Sequence, residues 1–176
     1  MKLVRITDAG APIPGPVAEL YRISFPLHEQ RLAASQKRIL TDAEYHFDLI
    51  YDEDGFAGII LYWERGDCIY IEHFCILPEK RNRSLGRRTL ELMQNKGKTL
   101  ILEIDPPTDD VSKRRRGFYE RCGFAENPYS HVHPPYREGQ SGHSLVVMSW
   151  PTVLTEGQYA DFRCYLEERV MKDVMI

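Results

Sequence analysis

The stretch Ile76–Arg88, ILPEKRNRSLGRR, sets chemistry-bearing residues in a telling order. An apolar run, Cys68–Leu77, stops at Pro78. A basic turn, Lys80–Arg83, follows, then Ser84-Leu85-Gly86, then Leu85, Thr89, Leu92 and Met93 at helical spacing. Strand, cationic loop, small residues and helix start together form a cradle for a pyrophosphate. The first N–H groups of a helix lack intrahelical acceptors, and the helix dipole makes that end positive. Small residues let backbone approach a phosphate closely. The N–H groups of Ser84, Leu85, Gly86 and Arg87 are the expected donors, with Arg81, Arg83 and Arg88 as candidate cations. Alone, this pattern suits a nucleotide or a phosphorylated sugar.

The elements around the cradle can be read from periodicity. Leu3–Thr7 alternates as a short strand, and Ala9–Pro16, with three prolines and two glycines, is a loop. Val17, Leu20, Tyr21 and Ser24 keep helical spacing, with Pro16 in the first turn. A second short helix is expected over Ala33–Leu40. Tyr45–Tyr51 and Phe56–Trp63 read as strands joined by a hairpin turn, Asp52-Glu53-Asp54-Gly55. Cys68–Leu77 is a third consecutive strand. The helix from Ser84 runs to Gly97, a C′ glycine. Thr99–Ile104 is an apolar strand closed by Pro106-Pro107. Ser112 is the expected N-cap of a basic helix, Lys113–Arg121. Phe124 to Tyr136 reads as irregular, and Ser144–Trp150 as a strand. Thr155 and Gln158 match a capping box. The helix that follows carries Tyr159, Phe162, Leu166 and Val170 on one stripe, which serves packing on the sheet or a homodimer contact equally well.

Three antiparallel strands followed by strand–helix–strand crossovers predict an α/β fold, a mixed central sheet with flanking helices. The expectation is a single domain over 1–176, with an extra C-terminal helix at about 156–174. A chain of 176 residues can bury a sizeable core. Its 43 % hydrophobic and 28 % charged residues are ordinary for a globular protein. The net charge of −3 gives no electrostatic case for nucleic acid or an anionic membrane. No apolar run approaches the roughly 18 residues of a spanning helix. The N-terminus has no apolar signal region, and the four cysteines have no metal-ligand spacing, so a cytoplasmic location with reduced thiols is expected.

Two motifs give the cradle a specific reading. RNRSLG at Arg81–Gly86 resembles the phosphate-loop signature of the GCN5-related N-acetyltransferase (GNAT) superfamily. GFYERCGF at Gly117–Phe124 is similar to that superfamily's second motif, and LEIDPP at Leu102–Pro107 to the strand before it. IYIEHFCILPE at Ile69–Glu79 resembles its fourth strand. Ser84 and Asn82 stand where the family usually has glycine, and Ser112 where Asn is frequent.

The resemblance implies the acyl-CoA N-acyltransferase fold and direct transfer of an acetyl group from acetyl-CoA to a primary amine. Acetyl-CoA is the implied co-substrate, no metal is implied, and the acceptor is a small molecule or a peptide. By the family pattern Arg81, Asn82, Arg83, Ser84, Leu85, Gly86, Arg87 and Ser112 surround the cofactor's phosphates. Phe74 and Ile76 lie on the strand edge that takes the pantetheine arm. An alkylamine has a pKa of about 10.4, so deprotonation at pH 7 adds roughly 4–5 kcal/mol unless a base is supplied. Glu72 is the candidate base; strict alternation places it with Phe74 and Ile76, with His73 on the opposite face as a structural residue. Its bland reading is a solvent-facing strand Glu. Tyr119 stands where the family's proton-donating tyrosine stands, and its bland reading is a core aromatic. Glu29, Tyr129, His133 and Tyr136 are candidate acceptor contacts. Cys75 and Cys122 read as core residues, and Lys113–Arg116 as a cationic rim. A non-catalytic acyl-CoA-binding module is the competing functional reading.

Overall fold

The computed structural model describes residues 1–174; residues 175–176 of the expected 1–176 domain lie outside the described residues. Its sheet begins with β1 (Lys2–Arg5), which lies antiparallel beside the three-strand meander that alternation predicted: β2 (Tyr45–Asp52), β3 (Gly55–Arg65) and β4 (Cys68–Ile76). Between β1 and β2 lie α1 (Gly15–Ser24), a single 3₁₀ turn (Leu27–Glu29) and α2 (Ala33–Ile39). After β4 the chain crosses through α3 (Leu85–Gln94) to β5 (Thr99–Ile104), which lies parallel to β4. Then follow α4 (Asp110–Arg121), the short β6 (Ala125–Glu126) and β7 (His131–His133), β8 (His143–Trp150), and α5 (Glu156–Tyr165). The last turn, Leu166–Val170, widens to a π-helix. The strand order is β1-β2-β3-β4-β5-β8-β6, with β7 also paired to β8. A mixed central sheet with flanking helices is therefore the observed architecture.

Each face of the sheet has its own core. On one face α1, α2 and α5 cover Phe47, Leu61, Trp63, Tyr70 and Val147. On the other, α3 and α4 cover Ile60, Ile71, Leu102 and Met148. The terminal stripe Tyr159, Phe162, Leu166 and Val170 is buried on the first face, so burial of the sheet gives it a partner within the chain. In α3 the buried positions are Leu85, Thr89, Leu90 and Met93, so Leu90 takes the inward place expected for Leu92.

Two local readings change. Asp109, not Ser112, caps α4: its carboxylate accepts from Val111 N–H at 2.7 Å and Ser112 N–H at 2.9 Å. Ser112 is the reciprocal member of the box, its hydroxyl accepting from Asp109 N–H at 3.1 Å. An aspartate one turn upstream outcompetes a serine because an anion suits the positive helix start better than a hydroxyl. Residues 124–136, expected to be irregular, contain β6 and β7. These strands of two and three residues are too short to show a period, and they form because β8 offers them an edge. The Thr155–Gln158 capping box forms as expected, Gln158 N–H donating to Thr155 Oγ at 3.3 Å.

Candidate active site

Two breaks in regular pairing shape the site. The first is between β4 and β5. Their parallel register runs from Cys68↔Thr99 to Ile71↔Leu102 and stops. Beyond it, His73–Ile76 pair with β3 only, so β4 turns an unpaired edge towards a wedge-shaped opening. Unpaired edge groups can bind an extended, amide-bearing chain.

The second break is a bulge. Tyr62 faces Ile71 while Leu61 faces His73, which leaves Glu72 without a partner on β3. One extra residue reverses the alternation that follows. Glu72 therefore does not share a face with Phe74 and Ile76, as strict alternation predicted. Phe74 and Ile76 join the α3–α4 core. Glu72 and His73 both point to the α1–α2 face, where the His73 ring packs edge-on against Tyr21 and Phe25.

The Glu72 side chain is fully buried and held on both oxygens. Arg31 Nε donates to Oε1 at 2.9 Å, Tyr136 OH to Oε1 at 3.0 Å, and Trp63 Nε1 to Oε2 at 2.8 Å. Burial alone would raise this carboxyl. The Arg31 charge, the His73 imidazole and the bonds from Trp63 and Arg31 together outweigh burial and hold it below the ordinary glutamate range. Arg31 Nη2 also donates to Val170 O at 2.8 Å, tying the loop before α2 to β4 and to the C-terminal turn.

At the phosphate cradle the backbone takes the expected unusual form. Asn82 has φ 63° and Ser84 φ 57°, both left-handed, at the two places where glycine was expected. The first intrahelical bond of α3 runs from Arg88 N–H to Ser84 O at 3.0 Å. The N–H groups of Leu85, Gly86 and Arg87 thus have no acceptor in the helix, and Ser84 Oγ caps none of them. Gly86 lets the helix sit against Phe118, whose ring lies 3.1 Å from where a Cβ would stand. Arg81 Nε donates to Ile76 O at 3.2 Å and so braces the loop against the end of β4. Arg83 pairs with Asp54 at 3.2 Å, and Arg87 with Glu91 at 2.9 Å; exposed pairs of this kind are worth little and can re-form on another anion. A left-handed non-glycine residue costs roughly 1–2 kcal/mol. Ser84→Gly is therefore expected to raise stability by about 1 kcal/mol, read as a higher urea midpoint with an unchanged m-value. A lower midpoint would mean that Ser84 contributes something its backbone angle hides.

Tyr119 lies on the α3–α4 face, 8 % exposed, its ring edge-on to Phe118 and Phe124. Burial, partly countered by the Arg115 charge, pushes its hydroxyl up to about 12. Among the described residues, no hydrogen-bond partner contributes to that shift. A neutral phenol with a free O–H can donate to an incoming group.

On the opposite face a small cavity of about 60 Å³ opens at the same place, walled by Glu29, Tyr70, Glu103, Asp105, His133 and Tyr136 among others. Three of the four residues expected at the acceptor side thus meet here. Tyr129 does not: it stacks on Tyr159 at 4.1 Å and donates to Leu154 O at 2.8 Å, under α5. A larger hollow of about 640 Å³ beside α1, lined by Arg22, Phe25 and Leu27, has no carboxylate, imidazole or phenol to work with.

Glu103, Tyr70, His131 and Arg31 were not expected at the site. Glu103 is one residue beyond the last β4–β5 pair, and both its oxygens are engaged, by Tyr70 OH and by His131 Nε2. Burial would raise its carboxyl, but the His133 and His131 imidazoles and the bonds from His131 and Tyr70 lower it. A signal was available for Glu103: it is the one charged residue in the run TLILEI, and a buried charge needs partners. Nothing local marked Arg31. Among the described residues, no group of three or more His, Cys, Asp or Glu side chains is arranged to hold a metal ion. Nor, among those residues, is any helix long and apolar enough to cross a membrane.

Comparison with known proteins agrees with this geometry. Residues 16–124 match the family described as Acetyltransferase (GNAT) family. A putative acetyltransferase of the GNAT family from Bacteroides thetaiotaomicron superposes with a TM-score of 0.88 at 29 % identity, over 97 % of this chain and 98 % of that one. The putative acetyltransferase YjbC of Bacillus subtilis is 24 % identical over 102 residues, 57 % of this chain; the chain spans 52 % of that curated relative. A Bacillus subtilis acetyltransferase solved in complex with CoA shares the fold at 13 % identity, with a TM-score of 0.55 over 84 % of this chain and 96 % of that one.

Proposed function

Since this chain belongs to the GNAT family of acetyltransferases, we propose that it transfers an acetyl group from acetyl-CoA to a primary amine of a small molecule or peptide, by direct attack. The observation that carries this reading is the parting of β4 from β5 after Ile71↔Leu102. It opens one passage through the sheet, with the phosphate cradle and Tyr119 on one face and the carboxylate-lined cavity on the other.

In this reading the pyrophosphate of CoA sits on the N–H groups of Leu85, Gly86 and Arg87, with Ser84 and Asn82 shaping the loop. Arg81, Arg83 and Arg87 supply positive charge around it. The pantetheine amides run along the free edge of Phe74–Ile76. Ser112, whose hydroxyl is committed to the α4 cap, supports this wall by fixing the helix start. The acceptor enters from the cavity, where Glu29 and Tyr136 face it, and attacks the thioester carbon in the passage. The tetrahedral centre collapses, the C–S bond breaks, and Tyr119 gives a proton to the departing sulfur. Glu72, expected to be the base, has both oxygens engaged; it is better suited to holding Tyr136 and the cavity wall in place. The chain over 1–176 acts as one domain in this proposal, with the helix at 156–174 as its cover on the acceptor face.

The test is thiol release from acetyl-CoA with a panel of primary amines, including alkylamines, diamines, amino sugars and peptide N-termini. Turnover of at least one amine, with an acetylated product of the expected mass, is the result expected. Tight acetyl-CoA binding without turnover of any of them would overturn it.

A further inference from the structure

With Glu72 occupied, the amine's proton needs another acceptor. His133, on β7, is 2 % exposed and forms part of the cavity wall. Its Nδ1 lies 2.6 Å from Pro134 O. A carbonyl can only accept, so Nδ1 carries the hydrogen and the neutral ring has its lone pair on Nε2. That Nε2 is buried and has no hydrogen-bond partner. It lies 3.8 Å from Glu103 Oε2, too far for a hydrogen bond. Buried polar atoms without partners are rare enough to need a reason. The ring cannot easily turn away, because Tyr136 stacks on it at 4.9 Å and 18°. Tyr136 is itself fixed by its bond to Glu72, and Glu103 by Tyr70 and His131. A rigid frame thus holds an unused lone pair beside a carboxylate at the mouth of the β4–β5 passage.

We propose that His133 Nε2 takes the proton from the incoming ammonium group, with Glu103 holding first the ammonium and then the imidazolium. This deepens the acetyl-transfer reading and rests on it. The acceptor's R–NH₃⁺ gives one proton to Nε2, which later passes it to solvent. The freed nitrogen lone pair forms the C–N bond as the C–S bond breaks. The second proton leaves nitrogen as the thiolate departs and replaces the one that Tyr119 supplies. The sum is amide, free thiol and one released proton. The acceptor class follows: a primary amine that is cationic in solution, since a group already neutral would have no use for Glu103.

His133→Asn tests this, because the Asn amide can keep the bond to Pro134 O while removing Nε2. For a primary alkylamine acceptor, kcat is expected to fall about 10²-fold. For its β,β-difluoro analogue, largely neutral near pH 8, the fall is expected to be less than about fivefold. Equal losses on the two amines, or no loss on the alkylamine, would overturn the proposal. His133→Gln, read the same way, covers the case in which the first variant fails to fold. Wild-type protein gives an independent readout: the neutral His133 ring should show its proton on Nδ1 in ¹⁵N-resolved NMR, and a proton on Nε2 would overturn the assignment. If wild-type enzyme turns over no amine at all, the acetyl-transfer reading has failed; if it turns over both amines and the variant loses equally on each, His133 alone has.

Discussion

Arg31→Met is expected to destabilise the fold by about 3–5 kcal/mol, the usual cost of removing one member of a buried ion pair. The Arg31 and Glu72 side chains are 1 % and 0 % exposed. Without the guanidinium, the Glu72 carboxylate keeps its bonds to Trp63 and Tyr136 but loses the countercharge that offsets its burial. The bond to Val170 O goes as well. The pH dependence gives the effect a sign. In wild type the Glu72 carboxyl is held below its ordinary value, so its contribution is present above about pH 4.3 and lost as pH falls through the lowered value. In the variant burial dominates and raises it, so the penalty is present at neutral pH and relieved as pH falls through the raised value. The deficit between variant and wild type should therefore shrink from pH 8 to pH 5, measured by urea unfolding. A deficit that stays constant over that range would show that lost packing, not the unpaired charge, is responsible. The double variant Arg31→Met with Glu72→Leu should recover most of the loss, because neither charge of the buried pair then remains.

Tyr119→Phe is expected to lower kcat about 10²-fold while changing stability by less than about 1 kcal/mol. The two effects separate because the hydroxyl has no hydrogen-bond partner among the groups that shift it. Removing a hydroxyl that makes no hydrogen bond within the protein costs the fold little. With its pKa pushed up to about 12, the phenol stays protonated at neutral pH and serves as a donor to sulfur. Stopped-time thiol assays and a thermal melt on the same sample check the pair of expectations. A variant with normal kcat would remove Tyr119 from the proton path. A variant that loses rate only in proportion to lost folded protein would make it a core aromatic.

Much of the fold and half of the candidate site were legible in the sequence. The meander, the β4–α3–β5 crossover and the terminal helix follow from periods of 2 and 3.6 and from caps and turn residues that act over a few positions. The loop proposed as the phosphate cradle was legible for the same reason: its candidate donors are consecutive backbone groups, and Ser84 and Asn82 adopt the left-handed angles that the motif's glycines imply. Tyr119 came from a motif on a single helix. The acceptor side was not legible in this way. A single bulge moved Glu72 to the other face, and alternation cannot reveal an extra residue from the sequence of one strand. The partner of Glu72 is 41 residues away in a loop. Glu103 meets His131, 28 residues on, through a three-residue strand that exists only because β8 lends it an edge. Local hydrogen bonding and side-chain period are properties of neighbouring residues, so the amino-acid sequence by itself determined the elements, the loop proposed as the cofactor cradle, and the family. Which charged groups meet in the buried cavity depends on pairings between distant segments, where burial forces each charge to find a partner. Only the tertiary structure decided that Glu72 is held by Arg31 and that His133 is left with a free lone pair.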